Sequence, residues 1–423
     1  MNFVDELTWR GMLHDSTPGT EEKLASGMTT GYIGFDPTAP SLTIGNYVQL
    51  MVLSLWQQAG HQPVYLAGGA TGRIGDPSGK DKERQLKSYE ELDRNLAKQQ
   101  AQARKFLDFD NGVNKALMIN NNDFYKDMNI LDFLRDVGKN LTVNYMMSKD
   151  SVKNRLDSGL SFTEFSYQLL QAYDFLCLYK NYNCTFQMGG SDQWGNITSG
   201  TEFIRRNIPG SKAYALTAPL LTKSDGKKFG KSEEGNIWLD PEMTSPYNFY
   251  QFWINAADAD LPKFLKTFSL KSRDEISSLI ANEDVRAVKK ELAEEMTVRI
   301  HSNTSYEAVL DVSEILFNKN ASNEKLRSLG PDTLSAISKE IPNPEMDKGL
   351  LSNSCNILDL LTEGTNICTS KGDARRAIKN NAISVNKVKI TKDHVVFNSE
   401  DALHGSYLMI ENGKKNKYLV SLI

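Results

Sequence analysis

Over residues 1–235, short apolar runs that end in polar, glycine-rich tips alternate with stretches carrying apolar residues at helical spacing. "GYIGFDP" (Gly31 to Pro37) predicts a strand closing in a Gly/Asp/Pro turn. Leu50, Val52, Leu53, Leu55 and Trp56 then predict a helix. "HQPVYLAGGATG" repeats the strand and glycine-rich turn, and "ALMIN" and "CTFQMGGSDQWG" repeat it again. Strands alternating with helices predict an α/β fold, a parallel sheet covered on both faces, with ligands at the strands' carboxyl ends where these tips lie. From Leu261 to Phe317 the texture becomes helical: Val285, Val288, Leu292 and Met296 recur near the helical period, as do Val309, Val312 and Leu316. "SLGPDTLSAISKEIPNPEMDKG", rich in proline and polar residues, predicts a linker.

The last stretch reads as a separate unit. "SKGDARRAIKNN" predicts a basic helix, "AISVNKVKI" two short strands about an Asn-Lys turn, and "YLMIENGKKNKYLVSLI" a hairpin around Asn412-Gly413. The predicted organisation is therefore residues 1–235, an α/β domain; 236–330, a helical domain; 331–353, a linker; and 354–423, a small basic α+β module.

Charge sharpens this division. The 423 residues carry 49 Lys plus Arg against 53 Asp plus Glu, a net charge of −4, which excludes a wholesale polyanion binder. Yet Lys371, Arg375, Arg376, Lys379, Lys387, Lys389 and Lys392 fall in one window with Asp373 as its only acid. A compact basic helix followed by a basic turn suits contact with phosphates. No apolar run approaches the ~18 residues that would span a bilayer. The acidic opening Met-Asn-Phe-Val-Asp-Glu-Leu lacks the features of a secretory signal. The four cysteines (Cys177, Cys184, Cys355, Cys368) form no CxxC pair and no metal-ligand cluster. Reduced thiols in a cytoplasmic protein are expected.

Two loops superficially match a phosphate-binding Walker A motif, "GDPSGKD" and "GKKFGKS", but both are one residue short, which weakens a P-loop reading. Their lysines still suit a polyphosphate. "YIGFDPTAPSLTIGN" (Tyr32 to Asn46) lies where a strand gives way to a helix, whose N-terminus offers unpaired N–H groups to an anion, with Thr38, Thr43 and Asn46 adding side-chain donors.

Taken together in chain order, these segments resemble the class I aminoacyl-tRNA synthetases, in particular those of bacteria that activate tyrosine. The first segment resembles the family's HIGH signature region and Lys228-Phe229-Gly230-Lys231-Ser232 its KMSKS loop. "GGATGRIGDPSGKDKER", "NYMMSKDSV", "SFTEFSYQLLQAYDF", "QMGGSDQWGNIT" and "SPYNFYQFWIN" extend the likeness over most of the chain. The resemblance implies a Rossmann-type catalytic domain over 1–235 with the tyrosine and ATP site, a helical anticodon-side domain over 236–330 including the connection next to the KFGKS loop, and a two-step reaction. Tyrosine attacks the α-phosphate of ATP and releases pyrophosphate, and the adenylate then passes its tyrosyl group to the terminal ribose of tRNA(Tyr). It further implies Mg2+ accompanying ATP, no protein-bound metal, a homodimer, a cytoplasmic location and a C-terminal RNA-binding module similar to that of a ribosomal small-subunit protein.

The resemblance also assigns roles. Tyr32 and Asp174 match the groups that hydrogen-bond the substrate phenol, a pairing that rejects phenylalanine without editing; that principle's own worked example is this family. Asp76, Tyr167 and Gln171 match the α-ammonium site, a carboxylate with two neutral acceptors. Gln187 and Gln193 belong to the same tyrosine pocket, Gln193 near the carboxylate. Gly34, Asp36, Thr38, Gly45, Asn46, Gly190 and Asp192 match ATP contacts, Asp192 at the ribose. Lys228 and Lys231 match mobile-loop lysines that stabilise the leaving pyrophosphate, and Lys80 and Arg84 a second basic loop with that task. Lys371, Arg375, Arg376, Lys379, Lys387 and Lys389 are expected on tRNA phosphates.

This is positioning and electrostatic stabilisation, with no general base required, and the histidines (His14, His61, His301, His394, His404) all fall outside these motifs. One departure stands out: the signature histidines are here Thr43 and Asn46, two neutral donors. The expectation is that Thr43 contacts the γ-phosphate side and Asn46 donates directly. A tryptophan-activating relative is disfavoured by the phenol pair, since indole offers a single N–H donor. The alternative from another class is a catalytically retired RNA-binding protein on the same scaffold, motivated only by the altered signature.

Overall fold

A computed structural model of the chain describes residues 2–78, 86–149, 152–153, 159–232, 235–318, 321–414 and 416–423. Two compact units emerge: Met1–Thr244 with Trp253–Leu292, and Ser245–Phe252 with Ala293–Ile423. The helical stretch expected as a single domain over 236–330 is thus divided between them.

The first unit is built on six strands, β1 (Asp15–Ser16), β2 (Thr30–Phe35), β3 (Gln62–Ala67), β4 (Leu117–Asn120), β5 (Cys184–Gly190) and β6 (Tyr214–Ala218). Their order is β1-β6-β5-β2-β3-β4, with β2 to β6 parallel and β1 antiparallel at the edge. A two-stranded ribbon, β7 (Lys231–Ser232) with β8 (Gly235–Asn236), follows. Successive residues of a strand point to opposite faces, and β2 uses both. On one face Tyr32 packs on Phe175 of the helix Phe162–Tyr182, ring centroids 5.3 Å apart. On the other, Gly31 lies under Trp56 of the helix Ile44–Gln58, so close that a Cβ there would stand 2.7 Å from the indole. Only glycine fits that approach. The expected sheet with helices on both faces is what forms. Its strand order reverses between β2 and β5, where neighbouring strands connect in opposite directions and their tips part.

In the second unit a five-stranded sheet runs β12-β11-β14-β15-β9, comprising β9 (Glu345–Met346), β11 (Ile383–Val385), β12 (Val388–Lys389), β14 (Tyr407–Asn412) and β15 (Asn416–Leu422). A separate short pair joins β10 (Cys355–Asn356) to β13 (Val396–Phe397). The expected Asn-Lys turn is there, with Asn386 and Lys387 at φ 47° and 66° joining β11 to β12. The expected hairpin about Asn412-Gly413 and the basic helix (Lys371–Lys379) are there too. Ile357, Leu360, Leu361, Ile378, Ile383, Leu408 and Val420 bury between helix and sheet.

The stretch expected as a linker is folded. Pro331 opens the helix Pro331–Glu340 from the first turn, where its missing N–H costs nothing. Pro342 and Pro344 lie along the approach to edge strand β9 and contribute only carbonyls, accepting from Leu419 N–H at 3.1 Å and Ser421 N–H at 2.9 Å.

Candidate active site

The tips of β2 and β5 open into a cavity with about 1180 Å³ of empty space, its solvent-open mouth included. Tyr32, Gly34, Asp36 and Thr38 reach it from β2 and the turn after it, and Gln187, Gly190, Asp192 and Gln193 from β5 and its tip. Gly190 leaves room for Asp192, whose Oδ1 would lie 2.7 Å from a Cβ at that position.

At the closed end, Tyr32 and Asp174 are each 1% exposed. Asp174 accepts from Asn121 Nδ2 at 2.8 Å and from the Tyr125 hydroxyl at 2.7 Å. Burial pushes its carboxyl up to about 7 even though both hydrogen bonds pull the other way. Burial, reinforced by the Asp174 charge, holds the Tyr32 phenol well above its ordinary range, so it stays a neutral donor. A chain of hydrogen bonds continues from here: Asn121 Nδ2 donates to Thr71 Oγ1 (2.9 Å), Thr71 to Asp36 Oδ1 (2.7 Å), and the Tyr167 hydroxyl to Asp36 Oδ2 (2.8 Å). Tyr167 thereby gives its proton to Asp36, a partner the sequence did not suggest, while its oxygen remains an acceptor.

A second cluster borders the first. Gln193 Nε2 donates to Asp76 Oδ2 at 2.7 Å, Ser78 N–H to Asp76 Oδ1 at 2.9 Å, and Gln171 Nε2 to Gln193 Oε1 at 3.4 Å. Asn196 steadies it through Ser78 Oγ (3.2 Å) and Gln193 Oε1 (3.3 Å). Tyr167 and Gln171, one turn apart on the helix Phe162–Tyr182, both line the cavity, as the i, i+4 spacing requires. The Tyr32 hydroxyl and the Oε1 atoms of Gln171, Gln187 and Gln49 are buried without a protein partner, and all four residues line this cavity. Each such group costs about 1–3 kcal/mol until a ligand satisfies it, so the cavity favours a ligand rich in donors as well as acceptors.

The helix Ile44–Gln58 begins at the mouth, where Gly45, Asn46 and Gln49 line the cavity and Thr43 does not. Thr43 is the N-cap. Its Oγ1 accepts from Asn46 N–H (3.2 Å) and donates to Asn46 Oδ1 (2.7 Å), while its own N–H donates to the same Oδ1 (3.0 Å). Threonine thus stands at the signature position as a capping residue, its hydroxyl bonded to Asn46. The Asn46 amide nitrogen, by contrast, is directed away from the oxygen Thr43 holds.

Beside this helix start lies the KFGKS loop. Phe229 packs among Phe264, Phe268 and Trp253, with centroids 4.9, 5.2 and 6.0 Å away. Gly230, at φ +80°, sits against the helix start: a Cβ would come within 2.7 Å of Ile44 Cγ2 and 3.3 Å of Gly45 N. Backbone bonds complete the join, Ile44 N–H to Ile237 O and Ile237 N–H to Gly230 O, both 2.9 Å. Lys228 and Lys231 flank this anchor, exposed and outside the cavity lining. Lys80 and Arg84 lie outside the described residues. No histidine lines the cavity among the described residues. Asn121, Tyr125, Thr71 and Gln49 were not anticipated; Gln49, one turn beyond Asn46 on the same helix face, was the one that spacing offered.

In the second unit, the basic helix exposes Lys371, Arg375, Arg376 and Lys379, and β12 exposes Lys389. Exposed carboxylates answer three of them: Asp359 and Glu363 at Lys371, Asp393 at Arg375, Asp373 at Arg376. Lys387 departs from the set, its side chain 6% exposed and bonded to Glu411 and to the Ile315 carbonyl. The turn that carries it points it inward, which corrects its placement among the phosphate contacts.

Comparison with known proteins gives these features a context. The family described as tRNA synthetases class I (W and Y) matches residues 25–318, and the tyrosine–tRNA ligase SYY-like C-terminal domain matches residues 333–420. A tyrosine–tRNA ligase of Cytophaga hutchinsonii is 53% identical over 425 residues, 99% of each chain, and one of Porphyromonas gingivalis is 51% identical over 429 residues, again 99% of each. Among solved structures, a C-terminally truncated mitochondrial tyrosyl-tRNA synthetase of Aspergillus nidulans superposes with a TM-score of 0.66 at 32% identity, covering 75% of this chain and 94% of that one.

Proposed function

The chain belongs to the class I tRNA synthetases of the tryptophan and tyrosine branch, and from that premise we infer that it is a tyrosine–tRNA ligase, joining L-tyrosine to tRNA(Tyr) at the expense of ATP. The observation that carries the amino-acid choice is the buried pair Tyr32 and Asp174: one donor without a partner and one acceptor at the closed end of the cavity. A phenol O–H both donates and accepts, and so satisfies the two together, whereas an indole N–H only donates.

In the first step the tyrosine carboxylate, already ionised, forms a bond to the α-phosphorus of ATP and the bond to the β-phosphate oxygen breaks. Charge builds on the departing pyrophosphate. The chain's contribution is to hold the reactants in line and to meet that charge. Asp76, with Tyr167 and Gln171, holds the α-ammonium group, and Gln193 lies by the tyrosyl carboxylate. Asp192 takes the ribose hydroxyls, and Gly34, Asp36, Gly45 and Gly190 form the floor on which ATP lies, with Thr38 beside the triphosphate. Asn46 donates to the triphosphate from the helix N-terminus. Lys228 and Lys231, held to that helix through Gly230, supply mobile cations, and Lys80 and Arg84 are assigned the same task. In the second step the terminal ribose hydroxyl of tRNA attacks the tyrosyl carbonyl and AMP leaves. Magnesium belongs to the substrate as MgATP.

Lys371, Arg375, Arg376, Lys379 and Lys389 meet tRNA phosphates, since exposed ion pairs are worth little and a phosphate displaces them readily. The enzyme works in the cytoplasm, where tRNA is charged; among the described residues no helix is long and apolar enough to cross a membrane. It acts as a homodimer. Ile130, Leu131, Leu134, Val143 and Met147, in the segment between β4 and the helix Phe162–Tyr182, and Phe162 at that helix's start are exposed, apolar surface that a second copy would cover. Leu131→Glu halves the mass in sedimentation; an unchanged mass for the folded variant refutes this interface.

The retired-scaffold alternative has nothing to support it, because both substrate clusters converge on one cavity. The test is tyrosine-dependent exchange of labelled pyrophosphate into ATP, with tryptophan and phenylalanine alongside. Exchange with tyrosine alone is expected; exchange with tryptophan, or with none of the three, overturns the assignment.

A further inference from the structure

Lys387 and Lys417 are both basic residues of the C-terminal module, and neither is free. The helix Asn303–Phe317 ends with carbonyls that it cannot satisfy itself. Asn318 N–H takes the Glu314 carbonyl at 2.9 Å. The next two are taken from the module: Lys387 Nζ donates to Ile315 O at 2.7 Å, and Lys417 Nζ donates to Leu316 O. Between them stands Glu411, whose Oε1 is 2.8 Å from Lys387 Nζ and 3.6 Å from Lys417 Nζ. The three side chains are 6%, 17% and 16% exposed, respectively for Lys387, Lys417 and Glu411. Two cations at the negative end of a helix, balanced by one carboxylate, make a favourable electrostatic set.

The backbone holds it there. Lys387 occupies a left-handed conformation, φ 66°, that a long side chain seldom adopts. The same turn is tied back to the helical segment by Asn323 Nδ2 donating to Asn386 O at 2.7 Å, and His404 Nε2 is 2.7 Å from Leu329 O. Burial and the neighbouring Lys387 charge pull the Lys417 ammonium below its usual range, and the Glu411 carboxylate opposes that pull.

We propose that Lys387, Lys417 and Glu411 form a latch that fixes the basic module to the end of the helix Asn303–Phe317 and so sets the orientation in which Lys371, Arg375, Arg376 and Lys379 meet tRNA. They are positioning residues and touch no RNA. The inference rests on the tRNA-charging reading and extends it from which cations bind to which cations aim.

The test uses the full-length enzyme with Lys387→Met, Lys417→Met, their combination, Glu411→Gln, and Arg376→Met as a phosphate-contact control. Tyrosine-dependent pyrophosphate exchange stays at the parent rate in the latch variants; its absence in the parent itself refutes the ligase reading, not the latch. In tRNA charging, KM for tRNA rises about tenfold in the double variant, the factor for an oriented population cut to a tenth, with kcat little changed.

Two readouts separate a latch from a phosphate contact. The slope of log KM for tRNA against log salt is unchanged in Lys387→Met, whereas Arg376→Met lowers it by about one. Glu411→Gln gives opposite signs for the two roles. Loosening a latch raises KM, while removing a negative charge beside phosphate-binding lysines lowers it. A slope reduced by about one in Lys387→Met, or tighter tRNA binding in Glu411→Gln, overturns the proposal, as does an unchanged KM in the double variant. Should the double variant fail to fold, Glu411→Gln alone carries the decision through its sign.

Discussion

Replacing both signature histidines by Thr43 and Asn46 divides the work in a way that a double-mutant cycle measures. The Asn46 carboxamide oxygen is gripped twice by Thr43, by its N–H at 3.0 Å and its hydroxyl at 2.7 Å, and this leaves the amide nitrogen for the triphosphate contact proposed above. Asn46→Ala removes that donor, and losing one preorganised donor at developing charge costs about 10²–10³ in rate. Thr43→Val keeps the shape and the N–H but deletes the hydroxyl. One of two restraints on the carboxamide goes, worth about 1 kcal/mol, or about fivefold in rate. The N-cap bond to Asn46 N–H at 3.2 Å goes as well, lowering stability by about 1 kcal/mol.

The two losses are coupled. With Asn46 already alanine, no carboxamide remains to be aimed, so Thr43→Val then costs nothing further in rate while it still costs stability. Pyrophosphate exchange under saturating tyrosine and ATP measures the rates, and thermal unfolding measures the cap. If Thr43→Val slows exchange by the same factor in both backgrounds, Thr43 acts on the phosphates independently and the division of labour is wrong. A loss near that of Asn46→Ala in the otherwise native chain refutes it equally.

What the sequence made legible followed from local rules. The apolar run "GYIGFDP", the alternation of strands with helices and the glycine-rich tips placed the cavity at the right strand ends, because strand direction and helix crossover leave few other topologies. Tyr167, Gln171 and Asp174 were assigned through the family resemblance, and one helix carries all three. Asn121 and Tyr125 were not. They follow β4 at the far edge of the sheet, and only its closure brings them to Asp174 across some fifty positions of chain. A single polar residue with no motif announces nothing until its partner is known. Lys387 failed for a different reason: a charge count records how many cations a window holds, and not which way a turn at positive φ points them. Proline density misleads over 331–353 because it marks a linker only when the prolines interrupt structure. Pro331 at a helix's first turn and Pro342 and Pro344 beside an edge strand interrupt none.

Two further outcomes follow from the site. Gly230→Ala brings a methyl group against Ile44 and Gly45 at a backbone angle that alanine resists. It therefore slows exchange at least tenfold although no charged or catalytic group is lost, and an unchanged rate shows that the lysines do not depend on this anchor. Asp174 gives a pH dependence. Its carboxyl, raised to about 7 by burial, binds a proton more tightly in the folded chain than in the unfolded one. Its contribution to stability therefore falls as pH rises from the unfolded value near 4 through about 7, and is constant above that. The substrate phenol donates to the ionised form. At pH 6 about ten carboxyls are protonated for each one ionised, so tyrosine binding at pH 6 is about tenfold weaker than at pH 8. Asp174→Asn flattens this profile at low affinity. Equilibrium dialysis of labelled tyrosine between pH 6 and 8 decides it: an affinity in the parent enzyme that does not change with pH means that Asp174 is ionised throughout, and that the hydrogen bonds from Asn121 and Tyr125 outweigh its burial.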